Sequence, residues 1–527
     1  HGYLNNPTFR GMRWSLMRTF DCISVIDLHG NAKKGGVSPS GVKDSNVFDI
    51  QQGVSVGLFT IKGARGTLID DPTVYHFDLW GERKDKFKWL TENSCRSKDL
   101  IKVKAAKPLH LFSSYDDSEI QEYLSWESMT DIFPTNGTGI VTARDAMVID
   151  IDEITLLERI SDLRDVKISD QEIRDKFFAG KGAKKYLPGD SRGWKLPEAR
   201  KKIQKDISWD RRVTSVLYRP FDTRSIYYVP WMVDWPRTSL MSCMLSGSNL
   251  AIVTSRMTKG EPFRHVQITR GIVEAICMSP KTSNNGFLFP LFIKKNKDEL
   301  FNSATEWEPN ISHKFIRVIE KYTDLIYTTE DVTHHTDYFD AQAILAFIYA
   351  ILHSNGYRER YGGALKLDYP RIPVPSAKIL FANLVKLGQH LIGLQLLETT
   401  HSGVNDCEFF GDSRVVSKVW WTEDNGGTVW VNEGGQKQKH MRGASGFSGV
   451  SKEIWDFHIG GYRVCEKWLK SRIQKKGKDV RPLTEDDIAH YNKIIFSINK
   501  TICIMTEIDV TIETHGGWPD AFITADT

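Results

Sequence analysis

None of the seven cysteines stands in a C-x-x-C pair, and the odd set is scattered through the chain as Cys22, Cys95, Cys243, Cys277, Cys407, Cys465 and Cys503. That pattern argues against a disulfide framework and a structural zinc site, and it fits a reducing cytoplasm. Long apolar runs are missing too. The longest, AILAFIYAIL (343–352), falls short of the ~18 residues that a membrane span needs, and no signal-peptide pattern is visible. Charge of one sign is also lacking: 70 Lys and Arg stand against 66 Asp and Glu, a net charge of +4. That balance by itself points to no polyanionic partner, although a local patch still could. Several catalytic signatures are absent as well: G-x-x-x-x-G-K-[ST], G-x-G-x-x-G after a strand, H-E-x-x-H and G-x-S-x-G. There is no internal repeat and no low-complexity tract.

What remains is an ordinary globular composition over 527 residues, 40% hydrophobic and 26% charged, long enough for more than one domain. The chain begins HGYLNNPTFRGM, without an initiator Met, and reads as a part of something longer. Residues 8–18 are amphipathic, CISVIDLHG (22–30) reads as a buried strand ending in a turn, and a polar Gly/Lys loop (31–46) precedes a second strand within 47–63. A charged helix follows at 81–93. The segment 151–206 is largely helical and increasingly basic. Strand-like runs follow at 213–229, 249–255 and 286–293. From 337 the pattern is helical again, with a capping aspartate and a glycine stop expected for 337–356 and a further helix at 378–398. The stretch 412–450 reads as hairpins. In the last helix Ile488, Tyr491, Ile495, Ile498, Ile502 and Met505 form one stripe, with Thr484 as its N-cap.

Two carboxylate clusters invite a metal and are weak. His334 and His335 near Asp337 and Asp340 have no marked third ligand, and polar residues ahead of a helix explain them better. Asp78, Glu82 and Lys84 loosely match a nuclease D…E-x-K, a triplet that arises by chance in charged helices.

In order along the chain, NPTFRGMRWSLMRTFDCISVIDLHGNAKKG, DSNVFDIQQGVSVGLFTIK, YHFDLWGERKDKFKWL, GIVTARDAMVID, YRPFDTRSIYY, GEPFRHVQITRGIVEA, FLFPLFI, YRERYGGALKLDYPRIPVP and IWDFHIGGYRVCEKWLKSR resemble adenine-specific restriction–modification enzymes of type ISP and the related type IIG. The resemblance covers nearly the whole chain. It implies an α/β tail of a methyltransferase-type sheet followed by a mixed α+β target recognition region with a helical C-terminal part. Residues 1–110 would be the closing portion of an adenine methyltransferase domain. Residues 111–330 would be the mixed α/β part of the target recognition domain, and 331–527 its helical part with hairpins. In that family the catalytic domain binds S-adenosylmethionine through an early glycine-containing motif and methylates a flipped-out adenine with an Asn/Asp-Pro-Pro-Tyr/Phe loop. This chain has neither motif; NNPTF (5–9) holds one proline. No catalytic, cofactor-binding or metal residue is therefore carried over. S-adenosylmethionine is expected in the full-length enzyme and not in this chain, and a half-sheet with an open edge is expected to be poorly packed, to hide its edge in an oligomer, or to need the remaining part of the methyltransferase domain, in the same longer chain or as a separate subunit.

Double-stranded DNA is then the expected partner. Phosphate contacts need runs of positive charge, and KGAKKYLPGDSRGWKLPEARKKIQK (181–205) offers Lys184, Lys185, Arg192, Arg200, Lys201 and Lys202, interleaved with Tyr186 and Trp194. KSRIQKKGKDVR (470–481) is a second basic stretch. Base readout favours Arg, Lys, Asn and Gln on protruding loops. Candidates are Arg256, Lys259 and Arg264 in VTSRMTKGEPFRH, and Gln436, Lys437 and Lys439 in the glycine-rich hairpin 422–443. In YRPFDTRSIYY (218–228) Asp222 lacks an acid–base partner. Either Pro220 ends a strand and Arg219 or Arg224 pairs with Asp222 at a corner, or Arg224, Tyr227 and Tyr228 face DNA.

Three functions compete: sequence-specific DNA recognition within a restriction–modification enzyme, a module docking onto a separate methyltransferase subunit, and a metal-dependent nuclease using Asp78, Glu82 and Lys84. The first predicts salt-sensitive duplex binding.

Overall fold

A computed structural model describes residues 2–31, 38, 41–61, 72–94, 97–105, 109–113, 117–178, 185–191, 193–258, 260–281, 284–294, 307–330, 336–399, 407–433, 443–473 and 481–523. The chain divides into two compact units, 1–126 with 366–368, and 127–365 with 369–527.

The first unit is built on one sheet. Strands β1 (Cys22–His29), β2 (Val54–Thr60), β3 (Thr73–Asp78) and β4 (Ile101–Val103) lie in the order β2-β1-β3-β4. β1 runs antiparallel to β2 and parallel to β3. Alternation along β1 sends Ile23 and Val25 to one buried cluster, with Leu4, Val74 and Phe112. It sends Ile26 and Leu28 to another, with Val47 and Leu79. Burial on both faces is why CISVIDLH reads as a continuous apolar run. β1 stops because His29 and Gly30 turn left-handed, φ 50 and 74. A Cβ on Gly30 would sit 2.4 Å from Asn46 Cα, so only glycine fits.

Helices α1 (Arg10–Thr19) and α2 (Arg83–Glu92) each bury a cation with its partners. Arg13 of α1 donates to the carbonyls of Tyr3, Asn6, Leu109 and His110. Lys86 of α2, fully buried, donates to Asp44 Oδ1 at 2.5 Å and to the carbonyls of Leu28 and Ser45. The second expected strand is shorter than the 47–63 segment, beginning at Val54.

Among the described residues the second unit holds three four-stranded sheets. Their strand orders are Val266–Thr269, Ala251–Ser255, Gly286–Pro290, Gly137–Thr138; then Ile272–Val273, Val213–Arg219, Asp222–Tyr227, Ile149–Asp150; then Glu408–Phe410, Gly446–Ser448, Thr428–Trp430, Trp420–Thr422. The helices Glu153–Arg164, Asp170–Phe178 and Leu196–Lys205 account for the expected helical segment. The helix Ala341–His353 is capped by Asp340, whose side chain accepts from Ala343 N at 2.8 Å. Ser354 closes it and caps the next helix, Asn355–Arg360, so Gly356 lies inside a helix and is not the stop. Thr484 forms a capping box with Asp487 ahead of the 29-residue helix Glu485–Glu513.

Two expected boundaries shift. The break near 110 falls inside the first unit, which runs to 126. The break at 330/331 runs through the second unit. Val429, Phe447, Trp468 and Tyr491 share one buried cluster with Ile140, Val216 and Leu288, and a continuous core cannot be cut there. Among the described residues no helix is long and apolar enough to cross a membrane.

Candidate nucleic-acid interface

The helix Leu196–Lys205 is strongly amphipathic, and its two faces divide the expected DNA-contacting residues. Leu196, Ala199, Arg200 and Ile203 are buried; Lys201, Lys202 and Lys205 are exposed. Arg200, expected to touch phosphate, is 6% exposed. It bonds Asp170 at 2.6 Å and the carbonyls of Leu163, Asp165 and Ile168 at 2.9, 2.6 and 2.7 Å. All three guanidinium nitrogens are thereby engaged, and Arg200 is withdrawn from the candidate contacts.

Lys202, with Lys195, lines a cleft of about 840 Å³ closed on the other side by Trp231, Asp234 and Trp235. Trp194 forms part of its wall. The aromatic side is held by hydrogen bonds. Val141 and Trp235 exchange backbone bonds at 3.0 and 3.2 Å, and Tyr228 Oη donates to Pro236 O at 2.6 Å. Arg144, 4% exposed, ties two walls together: its guanidinium lies 4.1 Å from the Trp194 ring, and it bonds Asp234 at 2.5 Å and Met232 O at 2.9 Å. Asp234 is thus neutralised from behind. The Trp235 side chain is 57% exposed, with the Arg237 guanidinium 5.1 Å from its ring. Asp190 braces the cleft's lysine wall by accepting from Leu196 N at 3.0 Å and pairing with Arg174 at 2.9 Å. The wall ends at Tyr186, over whose ring Lys195 and Lys185 place their ammonium groups at 4.8 and 5.9 Å. The result is a cationic and aromatic surface over a rigid floor. Cations on such a surface hold phosphate, and exposed indole faces take a stacked base.

The other expected residues are dispersed. Arg224 bonds Asp222 twice, at 2.6 and 3.0 Å, with its guanidinium 4.1 Å from the Tyr218 ring. Pro220 and Phe221 (φ 55) make the corner between the strands Val213–Arg219 and Asp222–Tyr227. Tyr227 and Tyr228 are buried. Arg219 pairs instead with Glu274 at 2.7 Å. Burial drives the Glu274 carboxyl up to about 7 against the pull of Arg219. Asp222 also faces Arg472 at 3.7 Å, which bonds Asp487 at 3.1 Å. This stretch is therefore the polar corner of a core, and Arg224 is neutralised within it.

Arg264 is exposed and Arg256 half-buried, 6.0 Å from the Tyr369 ring. Their loop is anchored by Glu261, which accepts from His265 at 3.0 Å, Asn284 at 2.7 Å and Ser279 at 3.1 Å. Burial would raise the Glu261 carboxyl, but these bonds bring it down to about 2. Lys184, Arg192, Lys259, Gln436, Lys437 and Lys439 lie outside the described residues, as do His334 and His335. Asp337 pairs with Lys378 at 2.6 Å. In the nuclease-like triplet Glu82 pairs with Lys43 at 3.3 Å, while Asp78 bonds His29 at 2.8 Å.

Trp231, Trp235 and Arg237 were not singled out from the sequence. The signal available was VPWMVDWPR (229–237), two tryptophans between prolines with an arginine after them, a loop composition that sets aromatics at a surface.

Residues 131–507 match the family model described as the Type ISP C-terminal specificity domain. Three solved structures share the fold, each over 96% of this chain. The ATP-dependent Type ISP restriction–modification enzyme LlaBIII bound to DNA is 16% identical, with a TM-score of 0.62 over 32% of its length. A nuclease-deletion mutant of the Type ISP enzyme LlaGI in complex with a DNA substrate mimic is 18% identical, with 0.59 over 38%. The DrdV–DNA complex is 18% identical, with 0.63 over 50%. This chain thus spans between a third and a half of those chains. No curated protein matches it.

Proposed function

This chain belongs to the Type ISP C-terminal specificity domain family, and on that premise we propose that it is the part of a restriction–modification enzyme that recognises a DNA sequence. The observation that carries the reading is the match over 131–507, and the cleft beside Lys195 and Lys202 supplies a surface of the right chemistry. In this reading phosphate contacts come from the exposed lysines of the helix Leu196–Lys205 and from Lys185. Arg256 and Arg264, on the loop anchored by Glu261, are the described residues placed for base contact. The test is binding of labelled duplex DNA by the full chain across a salt series. Affinity is expected to fall linearly in log–log form with increasing salt, with a slope of about −0.9 for each phosphate neutralised. Binding indifferent to salt, or none to a duplex library, would refute it.

The finer reading is that the larger enzyme methylates adenine and holds S-adenosylmethionine in a part that is not this chain, in the cytoplasm. Isothermal titration of S-adenosylmethionine into this chain alone is expected to give no heat of binding.

A second reading, docking onto a catalytic methyltransferase part, has its own support. Among the described residues β2 has a strand on one side only, and Val56 and Leu58 are exposed on it. An open edge with apolar side chains is a template for a further strand. Co-purification with a methyltransferase subunit, lost when Val56 and Leu58 are both changed to Lys, tests it.

A further inference from the structure

In the first unit the ends of β1 and β3 bring together side chains that DNA recognition does not use. The sequences are D-x-H (Asp27, His29) on β1 and H-x-D (His76, Asp78) on β3. In a strand, residues two apart share a face. The parallel register sets Asp27 directly beside Asp78. Two carboxylates in register on neighbouring strands repel one another; Asp27 is only 4% exposed and accepts from His29 N at 3.0 Å, while Asp78 is partly open to water. A cation between them would offset that repulsion.

His29 lies there. Its Nε2 is 2.8 Å from Asp78 Oδ1 and its Nδ1 is 3.8 Å from Asp27 Oδ2. The ring is clamped flat against Trp80, with centroids 3.4 Å apart and planes 8° off parallel. One ligand atom from each of Asp27, His29 and Asp78 falls within 4.8 Å of the others, the one such group among the described residues. His76 Nε2 stands 3.7 Å from Asp78 Oδ1. The nearby pair of Asp44 and Lys86 is already neutral and competes for none of these atoms.

We propose that Asp27, His29 and Asp78 bind one divalent transition-metal ion. Two carboxylates and an imidazole are a borderline-hard donor set suited to Mn²⁺ or Zn²⁺, and three protein ligands leave coordination positions open. The alternative is the His29 ring hydrogen-bonded to Asp78 with no metal.

Mn²⁺ is the probe, because cysteine sulfur such as that of exposed Cys503 favours softer metals. Mn²⁺ titrated into the full chain, with free ion read by electron paramagnetic resonance, is expected to bind saturably at a single site. His29→Ala and Asp78→Asn are each expected to weaken it at least about tenfold, while Glu82→Gln leaves it unchanged. Absence of saturable binding, or equal binding by all four proteins, overturns the proposal and leaves a metal-free hydrogen bond between His29 and Asp78. Should Asp78→Asn fail to fold, thermal melting decides. The unaltered chain is expected to melt higher with Mn²⁺ and Asp27→Asn is not; a wild-type melting temperature insensitive to Mn²⁺ refutes the site.

Discussion

The helix Leu196–Lys205 and the hairpin corner 218–228 are both basic in sequence, and they use their cations in opposite ways. On the helix the lysines point to water and to the cleft, while the one arginine turns inward to Asp170 and three carbonyls. At the corner Arg219 and Arg224 are both consumed by carboxylates, Glu274 and Asp222. The guanidinium has five donors in a fixed fork and suits buried, multiply bonded positions; the strongly hydrated ammonium stays outside. A basic run therefore mixes structural and available charge, and the residue type helps to sort them.

Four experiments can break or sharpen that contrast. Asp222→Ala removes the partner of Arg224 and one of the two carboxylates facing Arg472, which is 6% exposed at its side chain. Breaking the Arg224–Asp222 pair, with Arg472 left on Asp487 alone, costs about 3–5 kcal/mol, read as a lower melting temperature, with DNA affinity of the surviving folded protein nearly unchanged. Arg200→Ala strips four hydrogen bonds from the inner face of the helix and is expected to cost about 2–3 kcal/mol. The salt dependence of DNA binding should stay as it was; a shallower slope would return Arg200 to the interface.

The double change Lys195→Ala with Lys202→Ala is the converse. Melting should move by less than about 0.5 kcal/mol equivalent, and the log–log salt slope should drop by about one for each phosphate that is no longer neutralised. An unchanged slope would remove the cleft from the interface. The smallest effects are in pH. Glu261, held at about 2, contributes stability that is present above its ordinary value near 4.5 and lost as pH falls toward 2. Glu274, raised to about 7, contributes stability present below about 4.5 and lost as pH rises through 7. Glu261→Gln should therefore flatten the acid limb of a melting-temperature profile, and Glu274→Gln the limb between pH 5 and 8. Both profiles unchanged would mean that neither carboxylate is anchored as described.

Much of the fold was legible along the chain. The strand CISVIDLH, the helix after Thr484, the hairpins of 412–450 and the Asp222 corner follow from local rules: period, capping chemistry and turn residues. Less of the candidate site was legible. The run 181–205 contains the helix that lines the cleft, but Arg200 reads like its lysines there, and the tryptophans of 229–237 were not singled out. Neither the pairing of Asp27 with Asp78 nor the cleft wall at Trp235 is marked locally, since the partners come from segments far apart in sequence, such as Asp27 with Asp78 and Val141 with Trp235.

By itself the sequence determined the family resemblance, the element types and the chemical inventory, because periodicity, caps and motifs act over a few residues. The tertiary structure decided which cations stay available, which carboxylates meet in register, and that residues 331–527 share a core with what precedes them. Those outcomes depend on which face of each element is buried and against what, and that is set only when distant segments pack.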